Sequence, residues 1–371
     1  MQASTVKLLD KALGIPTCAA LALARPFRRK PEKVERILAI CFWGIGSVVN
    51  TLPVLKALKR KYPKARLDVL TPTKNAALFY KNKHVNQLIL IDMNVFSLLK
   101  VMRRVRGKYD LVIDMEHWLN ISAIIAFLAS GRVAGFSNKF RSVLYSDKIP
   151  FNPEQHAVLN NMELARLAGA YYPIEKLEKI ETAANDKKFV QRLLKQHGIN
   201  ERKQLVIGIC PGSGGTIVER RWPKEKFAEL ADRLAGKHKA HVVFVGAPDE
   251  QTLIQEVQGL MQHGSLNAAG ITLSQSIALI DSCHVFISND TGPMHIAAAQ
   301  GIKTIGLFGP ETPVIFGPYG KFNIALYKGE GPTIRIYEGV HEKPKENVLD
   351  KITVDEVFRA AEKQIRRLRG R

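Results

Sequence analysis

The sequence predicts an α/β protein with two doubly wound domains. Short apolar runs alternate with helical periodicity from residue 37 to residue 128, and a second such alternation runs from 205 to 308. The length, 371 residues, is more than one core of ordinary size takes up. With 46% hydrophobic and 24% charged residues, the composition is that of a folded chain.

Residues 37–42 are an apolar run suited to a buried parallel strand, and Gly44, Ile45 and Gly46 make a glycine turn after it. Val48, Leu52, Leu55 and Leu58 then recur at helical spacing up to Lys61. Strands are expected at 66–70 and 110–114, and a buried helix at 121–128. In the second series, strands fall at 205–210, 241–245, 284–288 and 303–308, with helices at 224–236 and 293–300. Thr272 with Gln275 reads as a capping box, as does Thr353 with Glu356 at the start of a basic terminal helix. The join lies in the polar stretch 173–203. The expected domains are 36–180 and 181–350, between an N-terminal extension (1–35) and a C-terminal helix (351–371).

The extension is apolar over 12–24 and then basic, with Arg25, Arg28, Arg29 and Lys30. A secretory signal has the opposite order. Pro16 is expected to interrupt any long helix there. No apolar run reaches the roughly 18 residues of a membrane span. Net charge is +21, from 55 basic and 34 acidic residues. A positive field attracts polyanions, but no aromatic-interleaved pattern accompanies it. Nucleic acid is therefore not expected as a partner, and an anionic membrane surface is preferred. The four cysteines form no CxxC pair, which argues against a zinc site or a disulfide framework and fits a reducing compartment.

Five stretches can carry chemistry. Asp290, Thr291, Gly292, Pro293 and His295 join a strand to a helix. Free N–H groups and the helix dipole there favour an anion. Gly212, Ser213, Gly214, Gly215 and Thr216 follow another strand and offer N–H and hydroxyl donors, with Arg220 downstream to neutralise phosphate. No GK[ST] ending follows, so this is not a Walker loop. Glu250, just past a strand, can accept hydrogen bonds from ribose hydroxyls. Trp43, Gly44, Gly46 and Ser47 imitate a dinucleotide fingerprint without its third glycine, which argues against a dehydrogenase. Asp114, Glu116 and His117 are a titratable cluster at a strand end. Each has a plainer reading: a turn, a capped helix end or a solvated charge.

Together and in this order, these stretches resemble glycosyltransferase family 9, typified by bacterial lipopolysaccharide heptosyltransferases. The resemblance is carried by GIGSVVNTLPVLKAL at 44–58, KYDLVIDME at 108–116, PGSGG at 211–215, VGAPDE at 245–250, SNDTGPMHIAAA at 288–299 and GLFGPETP at 306–313. It implies a GT-B fold with two Rossmann-like domains facing a cleft and the terminal helix packing back toward the first domain. It also implies an inverting, metal-independent transfer with no cofactor, from a nucleotide-diphosphate sugar (ADP-linked) to a glycan or glycolipid acceptor. The enzyme would be cytoplasmic, peripheral on the inner face of the membrane. By position, Thr291, Gly292 and His295 match the family's diphosphate-binding residues, and Arg220 a basic residue facing the phosphates. Glu250 matches a ribose-binding glutamate, and Ile271 lies beside the nucleobase. The family's general base is an aspartate where this chain has Ser47, a hydroxyl with no useful basicity. Glu116 and Asp114 are the first alternatives, ahead of His117. A non-catalytic sugar-nucleotide binder and a sugar-nucleotide epimerase are the competing readings. No oligomeric state follows from the residues.

Overall fold

The computed structural model describes residues 3–28, 31–42, 44–214, 218–331, 334–335, 340–341 and 347–369. Arg29, Lys30, Trp43, Gly215 and Thr216, singled out above, lie outside the described residues. The chain divides into two compact units, the first running to Ile174 and the second starting at Glu175.

The first unit contains α1 (Ala3–Ala22), β1 (Arg36–Ile40), α2 (Ile45–Lys61), β2 (Arg66–Pro72), β3 (Gln87–Ile91) and α3 (Val95–Val105). It continues with β4 (Leu111–Asp114), α4 (Asn120–Ala129), β5 (Val133–Phe136), β6 (Asp147–Ile149) and α5 (Ala157–Leu167). The second contains α6 (Ala184–Gln196), β7 (Val206–Cys210), α7 (Lys224–His238), β8 (His241–Phe244), α8 (Gln251–Leu260), β9 (Ser265–Asn267) and α9 (Leu273–Asp281). Then come β10 (Val285–Asn289), α10 (Gly292–Gln300), β11 (Lys303–Phe308), α11 (Pro313–Phe316), β12 (Ile324–Tyr327), β13 (Ile334–Arg335), β14 (Val340–His341) and α12 (Val354–Arg369).

Each unit holds a six-stranded parallel sheet, in the order β3-β2-β1-β4-β5-β6 and β12-β11-β10-β7-β8-β9. The second, read backwards, repeats the strand order of the first. Both are the doubly wound arrangement, in which the order reverses between the first and fourth strands. The reversal falls between β1 and β4 in one unit and between β7 and β10 in the other. These central strands are almost wholly buried, which is why they read as unbroken apolar runs. Both capping boxes form, at Thr272 with Gln275 and at Thr353 with Glu356. Strands β3, β5, β6, β9 and β12 were not anticipated; β6 and β9 have three residues each, too short to show alternation.

The N-terminal segment departs from expectation. Pro16 does not break the helix: α1 runs through it to Ala22. A proline in a helix loses one N–H bond and crowds the preceding turn. Pro16 is exposed, so the carbonyl that loses its N–H partner lies on the solvent side of the helix, and the Thr17 hydroxyl donates to the Leu13 carbonyl at 2.7 Å. The helix docks on α4. Gly14 meets Asn120 so closely that a Cβ there would lie 2.5 Å from the Asn120 Cβ, and Cys18 is fully buried. Asp10 serves as a cap supplied from another helix. Its carboxylate accepts the Asn120 and Ile121 N–H groups, both at 2.9 Å, satisfying donors that α4 cannot bond internally. No helix among the described residues is long and apolar enough to cross a membrane.

The terminal helix α12 puts its apolar face into the core of the second unit. Val354, Val357, Phe358, Ala361 and Ile365 lie in one core cluster with Phe227, Leu230 and Leu307. Their spacing of three and four residues gives α12 a continuous stripe that α7 and β11 cover.

Asp10→Ala should destabilise the protein by about 1–2 kcal/mol, since two N–H groups at the start of α4 lose their acceptor. Chemical denaturation of the full chain measures this. An unchanged midpoint would mean that α1 contributes nothing to α4.

Candidate active site

Loops leaving the carboxyl ends of parallel strands meet where strand order reverses, and ligands bind there. In the second unit, β7 and β10 pair with Cys210 opposite Ser288. The loops that follow therefore start side by side, one carrying Gly212, Ser213 and Gly214, the other Asp290, Thr291 and Gly292.

Asn289, the fully buried last residue of β10, joins them. Its Nδ2 donates to the carbonyls of Pro211 (2.8 Å) and Gly212 (3.1 Å), and its Oδ1 accepts the Trp222 N–H at 3.1 Å. Trp222 is buried against Phe227, and its Nε1 donates to the Ile352 carbonyl at 2.9 Å. The two arginines before it are thus presented from a fixed point. Arg221 donates from Nε to the Ser213 hydroxyl at 3.0 Å. Arg220 pairs with Glu311 at 3.1 Å and lies 3.7 Å from Asp290. Its Nε is buried with no hydrogen-bond partner among the described residues. Burial pushes the Asp290 pKa up, against the pull of Arg220.

Glu250 ties in a third loop. One carboxylate oxygen accepts the Gly214 N–H and the other the Ala247 N–H, each at 2.9 Å. A Cβ at Gly212 would sit 1.9 Å from the same carboxylate, so only glycine fits there. Gly214 has φ +74°, a left-handed conformation that also favours glycine. The Gly270 N–H donates to the Gly246 carbonyl at 3.2 Å, which brings half-buried Ile271 to the rim that carries Glu250.

Thr291 caps α10 in an extended conformation, with its hydroxyl 2.9 Å from that of Ser288. Pro293 lies in the first turn, where its missing N–H is no loss. The Gly292 and Met294 N–H groups have no acceptor within the helix, and the dipole adds partial positive charge. His295 stands one turn in, buried, with Nδ1 lacking a partner among the described residues. Burial lowers its pKa to about 4, so at neutral pH it offers a hydrogen bond and not a charge. The turns after Cys210 and before His295 thus lie side by side, with Arg220 next to Asp290.

The first unit repeats the plan between β1 and β4, where Ile40 lies opposite Asp114. Gly44 caps α2, and Gly46 and half-buried Ser47 are in its first turn. The two carboxylates after β4 have different surroundings. Asp114 is fully buried and saturated. It accepts from the Glu116 N–H (3.1 Å), the Ser122 hydroxyl (2.9 Å), the Tyr145 hydroxyl (2.7 Å) and Arg141 (3.4 Å). With both oxygens engaged, Asp114 shapes the loop. Glu116 accepts the His117 and Trp118 N–H groups on one oxygen, at 3.1 and 3.4 Å. Its other oxygen is buried without a partner among the described residues. Burial raises its pKa to about 8, opposed by Arg141 and reinforced by Asp114. His117 stacks on Phe136 at 4.6 Å. Burial, with the Arg141 charge, lowers its pKa to about 3, too weak a base for proton transfer near neutrality.

Sequence reading missed Asn289, Arg221, Glu311 and Arg141. Asn289 and Glu311 stand at or just past strand ends beside the reversal, and that position was the available signal. Arg141 lies in a connection between β5 and β6 with no motif around it. Asn289→Ala would strand two buried carbonyls and one N–H. We expect a loss of about 3 kcal/mol in denaturant unfolding, with Asn289→Asp intermediate because it keeps only the acceptor. Two variants with wild-type stability would remove Asn289 as the joint.

The chain matches the sequence profile of Glycosyltransferase family 9 (heptosyltransferase) over residues 98–344. It is 29% identical over 348 residues to lipooligosaccharide heptosyltransferase 2 of Haemophilus ducreyi, covering 87% of this chain and 97% of that one. The crystal structure of a family 9 glycosyl transferase from Veillonella parvula superposes with a TM-score of 0.78 at 24% identity, over 92% of this chain and 99% of that one. The Escherichia coli ADP-heptose lipopolysaccharide heptosyltransferase II gives a TM-score of 0.71 at 22% identity, over 90% and 99%.

Proposed function

From the membership of this chain in glycosyltransferase family 9, we propose that it transfers a heptose from an ADP-linked donor to a lipopolysaccharide-type acceptor, inverting the anomeric centre in one metal-independent displacement. That it is a glycosyltransferase follows from the family; the sugar and the acceptor are taken from the names of its relatives.

The observation that carries the reading is the cradle in the second unit. Two strand-end turns are tied together by Asn289, the second opens α10 with unbonded N–H groups, and Arg220 is held beside it by Glu311 and Asp290. In this reading the diphosphate lies against the Thr291 and Gly292 end of α10, where it is stabilised most as the glycosidic bond breaks and charge gathers on the leaving oxygen. Arg220 supplies positive charge there, and its unbonded Nε is a further donor. His295 donates as a neutral imidazole. Glu250 keeps a lone pair on each oxygen for the ribose hydroxyls, and Ile271 flanks the base.

Acceptor activation belongs to Glu116. The acceptor hydroxyl attacks the anomeric carbon from the face opposite the departing diphosphate, and its proton passes to the unbonded Glu116 oxygen. With a pKa of about 8, this carboxylate is a much better base than an exposed glutamate. It fills the role that Ser47 cannot. Ser47, Gly44 and Gly46, at the start of α2, line the acceptor side.

The test is ADP release from ADP-heptose with a lipopolysaccharide-core acceptor. Arg220→Ala should lower kcat about 10²–10³-fold. Since only ionised Glu116 accepts a proton, kcat/KM should climb with pH to a plateau above about 8. Glu116→Gln should lose about 10²–10⁴-fold and flatten that limb. Full activity in Glu116→Gln would reject Glu116 as the base, and full activity in Arg220→Ala would reject the donor site.

A further inference from the structure

We propose that the outer faces of α1 and α3 in the first unit dock the protein onto an anionic lipid bilayer. The two helices cover the same face of the sheet. Cys18 of α1 and Val101 and Val105 of α3 bury into one core cluster with residues of α4. Their far sides are exposed and apolar where a soluble helix is normally polar.

From Ala12 to Ala24, α1 and the turn after it contain no charged residue, and Leu13, Ile15, Pro16, Ala19 and Leu23 are exposed. Phe27 follows, 85% exposed, and Phe96 on α3 is 86% exposed. Isolated exposed apolar residues need no explanation, but a row of them along one helix with two outward phenylalanines marks an interaction surface.

The charge beside it selects the occupant. On α3 the exposed stripe runs Phe96, Leu99, Arg103, at steps of three and four residues, with exposed Arg106 just past the helix end, so apolar and basic side chains share one side. Arg28 donates to the Phe127 carbonyl and lies 4.9 Å over its ring. The end of α3 reaches the same end of α4, since the Gly107 N–H donates to the Leu128 carbonyl at 2.9 Å. Burial lowers the pKa of Arg28 and the nearby Arg106 lowers it further, as expected of cations gathered at one place. Basic residues next to apolar anchors, on a chain of net charge +21, are the pattern of interfacial attachment to acidic headgroups. A second copy fits poorly, because a two-fold interface brings the same patch to itself and would oppose Arg28, Arg103 and Arg106 to their own counterparts. Vesicle binding needs neither donor nor acceptor, so this inference stands or falls apart from the transferase reading.

The experiment is sedimentation of the full chain with vesicles of phosphatidylcholine alone or mixed with phosphatidylglycerol. The protein should sediment with the anionic vesicles and be released by salt. Arg103→Glu with Arg106→Glu should weaken partitioning about 25-fold or more, at about fivefold per charge. Phe27→Ser with Phe96→Ser should weaken it about tenfold or more. All four side chains are exposed, so circular dichroism and ADP binding should match the wild type in both variants. Absence of vesicle binding, or equal binding by wild type and both variants, overturns the proposal. So does a dimer, seen by light scattering, that the phenylalanine variant dissolves while vesicles bind nothing.

Discussion

One carboxamide joins the loops at the sheet reversal of the second unit. Asn289 ends the strand at which sheet order reverses, and its side chain donates to two carbonyls of the neighbouring loop while accepting the N–H of Trp222. Only a group with both donors and an acceptor can do this, and Asn and Gln are the uncharged side chains that have them in one plane. The consequence is organisation before binding. Peptide groups of the loop after β7 that would otherwise face a dry interior are satisfied, and the arginine pair is placed. The N–H groups at the start of α10 remain for a ligand. Glu250 does the same for the loop after β8, so three loops are joined by side-chain bonds to backbone.

The first unit shows how neighbouring carboxylates acquire different roles. Asp114 and Glu116 are two residues apart, both buried. Asp114 accepts hydrogen bonds on both oxygens, from the loop after β4, from α4 and from the connection after β5. Glu116 has donors on one oxygen only, and burial dominates. Environment, not residue type, separates the two carboxylates.

Helix α4 connects these features. Its first N–H groups are capped by Asp10 of α1, and its Ser122 hydroxyl donates to Asp114, which in turn orients the peptide of Glu116. The N-terminal helix is therefore a support for the loop after β4 as well as a covering for the sheet. Its inner face is fixed to α4, while its outer face remains apolar.

The sequence by itself determined the class of fold, because strands buried on both faces must be apolar throughout and helices between them must be striped. It also located the strand-to-helix turns at 211–214 and 290–293, since glycine, proline and hydroxyl residues mark where a strand ends and a helix begins. Capping boxes were legible for the same reason: both partners lie within one turn of chain. The tertiary structure decided whatever depends on partners distant in sequence. Asn289 bonds across 67 to 78 residues, and Arg220 meets Glu311 across 91. The different surroundings of Asp114 and Glu116 come from Tyr145 and Arg141, about which the local motif says nothing. Pro16 could remain in a helix only because α4 gave that helix a surface to pack on. Spacing along the chain reports local hydrogen bonding and periodic burial; desolvation and long-range pairing exist only once the chain has folded.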